Sequence, residues 1–313
     1  MIRFVLRRLL TAIPTLFLVV TVAFFMMRAA PGNPFDGQRR LAPEVERNVM
    51  AKYGLNKPLG EQYLTYVGGV LHGDFGPSLK YKNKSVIKLI AQGFPASLMV
   101  GGLAMVLAMS GGVFLGIIAA LQRNRPADYA VMLFAILGVC IPTFVTAPLL
   151  VLLMASKLGL LPTAGWPLGG QSLLDSASYL VLPVLVLGLP EMAVIARLTR
   201  SGMIEAMSSN YVRTARARGL PEHVIVLRHA LRGAILPLVS YLGPAVAGIV
   251  TGSLIVEQLF QLPGIGRYFV TSALQRDYTV VMGVVILYAA LILMMNLIAD
   301  LLYAALDPRV RLS

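Results

Sequence analysis

Charge is what this sequence has least of. Only 13% of its 313 residues are Asp, Glu, Lys or Arg, about half of what soluble domains carry, and the mean hydropathy is +0.77. So little polar surface excludes a water-soluble globular chain. Acids are scarcer than bases, 14 against 27, which leaves a formal net charge of +13. The single cysteine, Cys140, excludes an internal disulfide and any multi-cysteine metal site. His223 and His229 stand six positions apart, off a common helical face, so a metal pair is not expected. The sequence has no GxxxxGK[ST] and no HExxH. A Ser/His/Asp set is excluded too, because His72 is expected on the opposite side of a membrane from the other two histidines. Catalysis by this chain is not expected, no cofactor is called for, and no metal site is assigned.

What the chain has in abundance is uncharged apolar length. Leu9 to Met27, Leu89 to Gln122, Tyr129 to Ser156, Gly233 to Val256 and Tyr278 to Ala299 carry no charge, and each reaches or approaches the roughly 20 residues that cross a bilayer core. Ser176 to Ile195 is a sixth run, with one acid, Glu191. Continuous apolar runs read as helices, since a barrel would show alternating ten-residue strands. The expected class is therefore an all-α integral membrane protein with six transmembrane helices, at about 9–29, 92–121, 129–156, 177–196, 234–256 and 279–303. Arg3, Arg7 and Arg8 ahead of the first run resemble the start of a signal peptide, but no convincing cleavage site follows in "FFMMRAAPGNP", so it is kept as a span.

Lys and Arg in short loops stay on the cytoplasmic side. Arg3, Arg7, Arg8, Arg123 and Arg125, the stretch 197–233, and Arg309 and Arg311 then fall inside, and both termini are expected to be cytoplasmic. Residues 30–90 are expected to form an extracytoplasmic cap. Arg28 to Lys88 carries ten basic residues against five acids, but long loops translocate largely regardless of charge. Pro43, Glu44, Glu46 and Gly54 outline one short helix in it, and "EQYLTYVGGVL" a second.

Arginine and histidine crowd into "YVRTARARGLPEHVIVLRHALRG", Tyr211 to Gly233, with five arginines and two of the three histidines. Ser208, Ser209 or Asn210 offers an N-cap, Gly219 a stop, and Pro221 an N1 position for a second helix. On the second helix Val224, Leu227 and Leu231 would form an apolar stripe and Arg228 and Arg232 a basic pair. On the first, Tyr211, Ala215 and Arg218 would share one side, Arg213 and Arg216 another. Topological anchoring or attraction to anionic lipid would account for the charge alone, but neither needs a helix-glycine-helix geometry. Nucleic acid is excluded as a partner, because Tyr211 is the only stacking surface.

Prolines at Pro142, Pro148, Pro183, Pro190 and Pro244 fall inside spans, where kinks line a cavity or distort packing. Pro142, Pro148, Pro190 and Glu191 are candidate pore or gate residues. Gly112 with Gly116, and Gly248 with Gly252, are GxxxG pairs that let helices approach closely, within this chain or with a partner. In "QLPGIGRYF", Pro263 and Gly264 fit a type II turn leading into an amphipathic interfacial helix, an extracytoplasmic segment placed to bracket a pore mouth or meet a partner protein.

Six spans with few intramembrane charges suit a conduit, and three mechanisms compete. An ion-coupled secondary transporter needs a midplane ionisable group, for which Glu191 is the deep candidate unless it is paired with Arg197 or Arg200 at the helix end. A permease driven by a separate ATPase needs a cytoplasmic docking element instead. A passive channel needs neither.

"NYVRTARARGL" and "RHALRGAILP" resemble the cytoplasmic signature of permease subunits in peptide-importing ABC transporters. The likeness continues through "RFVLRRLLTAIPTLFLV", "APGNPF", "KYGLNKPLGEQYL", "HGDFGPSLKYK", "ARLTRSGMIE", "LPGIGRYFVTSALQRDY" and "DLLYAALDPRVR", in order along nearly the whole chain. "HGDFGPSLKYK" and "SYLGPAVAGIVTGS" are most similar to the oligopeptide branch, with dipeptide, nickel or glutathione permeases as the alternative. The resemblance implies a type I importer permease fold in a bacterial inner membrane. It also implies as partners a homologous second permease, two ATP-binding subunits, an extracytoplasmic peptide-binding protein, the lipid bilayer and a peptide substrate. It places ATPase coupling on Tyr211, Val212, Arg213, Thr214, Ala215, Arg216, Ala217, Arg218, Gly219 and Leu220, in a loop at 197–233. The wider superfamily carries a Glu-Ala-Ala and a glycine there. Aligned on Gly219, this chain has Arg213, Thr214 and Ala215, and its "ILP" ends eighteen positions beyond the glycine.

Overall fold

In hydrocarbon every backbone N–H and C=O must be paired within the chain, and an uninterrupted helix does this locally. The computed structural model describes residues 2–29, 50, 54–81, 83–166 and 173–306. Among them the only β-pairing is an isolated bridge, Pro77 to Ser85. The main helices are α1 (Ile2–Ala29), α2 (Leu59–Leu71), α3 (Val86–Leu121), α4 (Pro126–Cys140), α5 (Thr143–Leu150, continued as a π-helix over Val151–Lys157) and α6 (Leu173–Ser208). There follow α7 (Asn210–Ala217), a short broken helix to Ala234, α8 (Leu236–Leu259), α9 (Ile265–Leu274) and α10 (Tyr278–Leu306). The short helix expected around Pro43 and the arginines Arg309 and Arg311 lie outside the described residues.

Among the described residues five helices are long and apolar enough to cross a membrane: Arg8–Ala29, Val86–Leu121, Ala177–Ser208, Leu236–Leu259 and Tyr278–Tyr303. The sixth candidate is not the continuous run expected over 129–156. It is a pair, Pro126–Cys140 and Thr143–Lys157, bent by 109°. Pro142 explains the break. It has no N–H to give, and it holds Ile141 before it in an extended conformation (ψ 116°), so the first helix ends there and a new one begins.

The chain divides into two compact units. One comprises Met1–Ser97 with Pro263–Leu291, the other Leu98–Leu262 with Ile292–Ser313. In the first, Val86, Leu89, Ile265, Val280 and Val284 form a core with Phe75, Phe94 and Tyr268 around them. Its loop 74–81 is fastened by one buried carboxylate. Asp277 accepts hydrogen bonds from Ser78 Oγ, from the amides of Leu79 and Lys80 (both 3.2 Å), and from Val280 N at 3.4 Å at the start of α10. Helix α9 enters close under α3: a Cβ on Gly93 would lie 2.9 Å from Ile265 N, which donates to Ser97 Oγ at 2.9 Å.

The type II turn expected at Pro263 and Gly264 does not form. Gly264 is extended (φ −93°, ψ 175°) and precedes α9. The reversal occurs earlier, where Gln261 takes the left-handed conformation (φ 54°) and Leu262 N donates to Glu257 O at 2.9 Å, closing the C-terminus of α8.

In the second unit α6 is the common support. A Cβ on Gly112 would stand 2.9 Å from Met192 O, and one on Gly116 2.7 Å from Ala196 O, so this pair serves a contact within the chain. Gly248 faces Glu191, while the side-chain position of Gly252 is outside the described set. Helix α4 is fixed to α6 by a bidentate ion pair: Arg200 Nε donates to Asp128 Oδ1 at 2.5 Å and Nη2 to Oδ2 at 2.7 Å, while Asn124 N caps the carboxylate at 2.9 Å. Asp128 is 2% exposed but Arg200 is partly open to solvent, so losing the pair's charge-assisted hydrogen bonds costs about 1.5–3 kcal/mol. Asp128→Asn is expected to lower the thermal unfolding midpoint of the detergent-solubilised protein clearly, whereas neutralising the exposed Arg125 leaves it unchanged.

Candidate coupling element and intramembrane acid

At the end of α6, Ser209 turns extended (φ −71°, ψ 157°) and takes the N-cap position of α7. Its hydroxyl makes no cap and donates back to Ala206 O at 2.5 Å. Along α7 the buried residues are Val212 and Ala215, one helical turn apart, while Tyr211, Arg213, Thr214, Arg216, Ala217 and Arg218 face outward. The side expected for Tyr211, Ala215 and Arg218 is thus rotated: Val212 is fully buried and Tyr211 is 47% exposed. Arg213 reaches back along the helix to the side-chain carbonyl of Asn210.

Gly219 ends α7. Its φ of +74° lies in the left-handed region, and nothing stands within 4 Å of where its Cβ would be, so backbone conformation and not space demands glycine. Gly219 N donates to Arg216 O at 2.9 Å and Leu220 N to Ala215 O at 3.4 Å, the two bonds of a Schellman motif. Pro221 then occupies the N-cap (ψ 145°), one place before the N1 position expected for it. The following helix is α-helical over Glu222–Val224, π-helical over Ile225–Ala230 and α-helical again over Leu231–Ala234. That wide turn shifts the register. The buried residues are Ile225, Val226, Ala230 and Ala234, and the anticipated stripe residue Leu227 is 58% exposed.

The inner faces of both helices meet α6 in one core: Met203, Ala206, Val212, Ala215, Ile225, Val226, Ala230 and Ala234, with Ile117 and Ala120 of α3 packed against it. The approach is close. A Cβ on Gly202 would stand 2.8 Å from Ala234 O, and one on Gly233 2.7 Å from Tyr211 Oη. Across the bend, Arg216 Nη2 donates to Glu222 Oε1 at 2.6 Å and Nε to Oε2 at 3.3 Å. Both side chains are about half exposed, so the pair contributes less than about 1 kcal/mol. Arg218, Arg228 and Arg232 have no ion pair among the described residues and are exposed. The result is a basic outer face on a firmly seated hairpin.

Glu191, for which pairing with Arg197 or Arg200 was one alternative, pairs with neither. Tyr241 on α8 donates to its Oε2 at 2.8 Å, and Gly248 leaves room for its other oxygen. Arg200 is taken by Asp128. The acid therefore ties α6 to α8, next to Pro190 inside α6. Pro142 sits at the bend between α4 and α5, and Pro148 lies inside α5. Pro263 and Gly264 belong to the other unit. Asp128, Asp277 and Tyr241 escaped the sequence reading. Asp128 in "RPADY" was visible as a helix-start acid, but its partner lies 72 residues on.

Residues 112–312 match the family model described as the binding-protein-dependent transport system inner membrane component, and residues 1–100 match the N-terminal model of the same kind of membrane component. The chain belongs to this family of inner-membrane permeases. It is 51% identical to the oligopeptide transport system permease protein OppB of Escherichia coli (strain K12), over 99% of this chain and 100% of that one. Haemophilus influenzae OppB is 49% identical over the same shares. The dipeptide transport system permease protein DppB of Bacillus subtilis is 42% identical over 100% of this chain and 99% of its own. The permease is thus homologous to its relatives end to end, both units included.

The bend gives a direct structural test. A Cβ in the left-handed region costs roughly 1–2 kcal/mol, so Gly219→Ala is expected to speed proteolytic nicking at the arginines 213–218 severalfold. Because the Arg216 guanidinium holds the Glu222 carboxyl below its usual range, the small stabilisation from this pair is present at neutral pH. It is lost as pH falls through the carboxylate range, and Glu222→Gln is expected to remove that acid-side change in nicking rate.

Proposed function

We propose that this chain is the permease subunit of an ATP-driven importer and forms half of a pore for oligopeptides delivered by an extracytoplasmic binding protein. The observation that carries this reading is the end-to-end match to OppB, at 51% identity, above the 42% to DppB. The partners are a homologous second permease and two ATP-binding subunits, which hydrolyse the ATP. Both termini and the stretch 197–233 face the cytoplasm, and 30–90 forms the outer cap, with the bent pair Pro126–Cys140 and Thr143–Lys157 in place of a continuous third span.

In this mechanism Tyr211 to Leu220 receives the movement of an ATP-binding subunit. The basic outer face steers and seats the hairpin, and the Gly219 bend sets its angle. Because the hairpin's inner face shares a core with Met203 and Ala206, displacement passes into α6. Glu191 and Pro190 lie about 17 residues, roughly 26 Å of helix rise, up that helix from Ser208. Rocking of packed spans then opens the pore to alternate sides. Pro142 and Pro148 shape the neighbouring bent pair, and Pro263 and Gly264 form part of the surface offered to the binding protein.

Proteoliposomes holding the complete transporter are expected to take up labelled oligopeptide only with internal ATP and external binding protein. Gly219→Val, with assembly intact, is expected to cut uptake at least tenfold while the ATP-binding subunits still hydrolyse. Uptake by this chain alone on a proton gradient, abolished by Glu191→Gln, would overturn the reading in favour of ion coupling.

A further inference from the structure

Within the first unit a cavity of about 490 Å³ opens between the end of α1, helix α2, the loop 74–79 and the start of α10. Its lining includes Arg28, Lys57, Gln62, Tyr66 and Asp74. Arg28 is the second-last residue of the apolar segment Arg8–Ala29, which sets the cavity at the level where hydrocarbon gives way to headgroups. The guanidinium rests 5.4 Å from the Phe24 ring centroid and 5.9 Å from that of Tyr278. Its Nε is buried without a hydrogen-bond partner, and so are Tyr66 Oη and Gln62 Oε1.

A guanidinium partly withdrawn from water with no counter-charge is costly. The acid among the described lining residues does not answer it: Asp74 Oδ1 accepts from Gly76 N at 2.9 Å, and Asp74 forms no ion pair with Arg28. Lys57 adds a second positive charge, only loosely matched by Glu61 at 4.0 Å. Burial pushes the Tyr66 hydroxyl up from its ordinary value, so it stays a donor. Gln62 commits its amide nitrogen to Leu55 O and Lys57 O (3.1 and 2.7 Å), leaving its oxygen to accept. The unsatisfied set is thus a cation, a hydroxyl donor and one amide acceptor. Met26 (67%), Leu64 (71%) and Leu71 (80%) are exposed on the faces of α1 and α2 turned away from the lining.

We propose that this cavity binds the headgroup of an anionic, hydroxyl-bearing phospholipid of the phosphatidylglycerol type. The phosphate would pair with Arg28 and Tyr66, and a headgroup hydroxyl would donate to Gln62 Oε1. The site is independent of which solute the pore carries.

Native mass spectrometry of the whole detergent-purified transporter, titrated with phosphatidylglycerol or phosphatidylcholine, tests it. The first phosphatidylglycerol is expected to bind at least tenfold more tightly than phosphatidylcholine. Arg28→Gln removes that preference, and Tyr66→Phe, which keeps the ring, weakens the first lipid about fivefold. If Arg28→Gln fails to assemble, the Tyr66→Phe comparison carries the test. Equal lipid binding by wild type and the assembled variants overturns the proposal. So does displacement of the lipid by millimolar tri-alanine, which would give the cavity to a soluble peptide carboxylate.

Discussion

The close backbone approach of α3 to α6 over Gly112 and Gly116 is the contact on which the larger unit depends. In lipid there is no hydrophobic gain from joining two apolar helices, since hydrocarbon surrounds both already, and association rests on dense packing. Glycines supply it by letting one backbone lie against carbonyls of the other, Met192 O and Ala196 O. Once α6 is held there, α4 is fixed to it through Asp128 and Arg200, α8 through Tyr241 and Glu191, and the basic hairpin through Met203 and Ala206. A single long helix thereby links the hairpin to the intramembrane acid.

Polar groups are few, and three carboxylates withdrawn from solvent have a specific task. Asp128 answers Arg200, Asp277 collects the amides of the loop 78–80, and Glu191 is answered by the Tyr241 hydroxyl. Each joins segments distant in sequence, as low dielectric makes an unpaired group expensive and a paired one selective. Arg28 departs from this pattern, a cation seated on two rings with its Nε unanswered. That departure makes the cavity beside it a binding site for an anion and not a packing void.

Helical class and the existence of the apolar spans were legible because both follow from local patterns: uncharged length, and the need of each amide in lipid for a nearby partner. Gly219 was legible for the same reason, as a left-handed residue closing a helix is a local requirement. Pro142 was visible as a proline, but the 109° turn around it was not, since a proline inside a span is compatible with a mild kink when neighbours hold the two halves in line. Of the stripe Val224, Leu227 and Leu231, Leu231 packs against the hairpin core but Leu227 is turned outward, because the stripe assumed 3.6 residues per turn where Ile225–Ala230 is π-helical. Pro263 and Gly264 were read as the turn, whereas the end of α8 had already reversed the chain at Gln261.

The sequence by itself determined a membrane-embedded, helical chain with a glycine-bent basic hairpin, because composition, apolar run length and cap chemistry act over a few neighbouring residues; the permease family came from resemblance along the whole chain. Tertiary structure alone decided which face of the hairpin is buried, that Glu191 meets Tyr241 and not an arginine, and that Asp128 claims Arg200. It also decided that Arg28 is left facing a cavity. Pairings across 50 or 72 residues leave no local trace. They are chosen by which helices can approach closely enough to pack, and only then do the charges find, or fail to find, a partner.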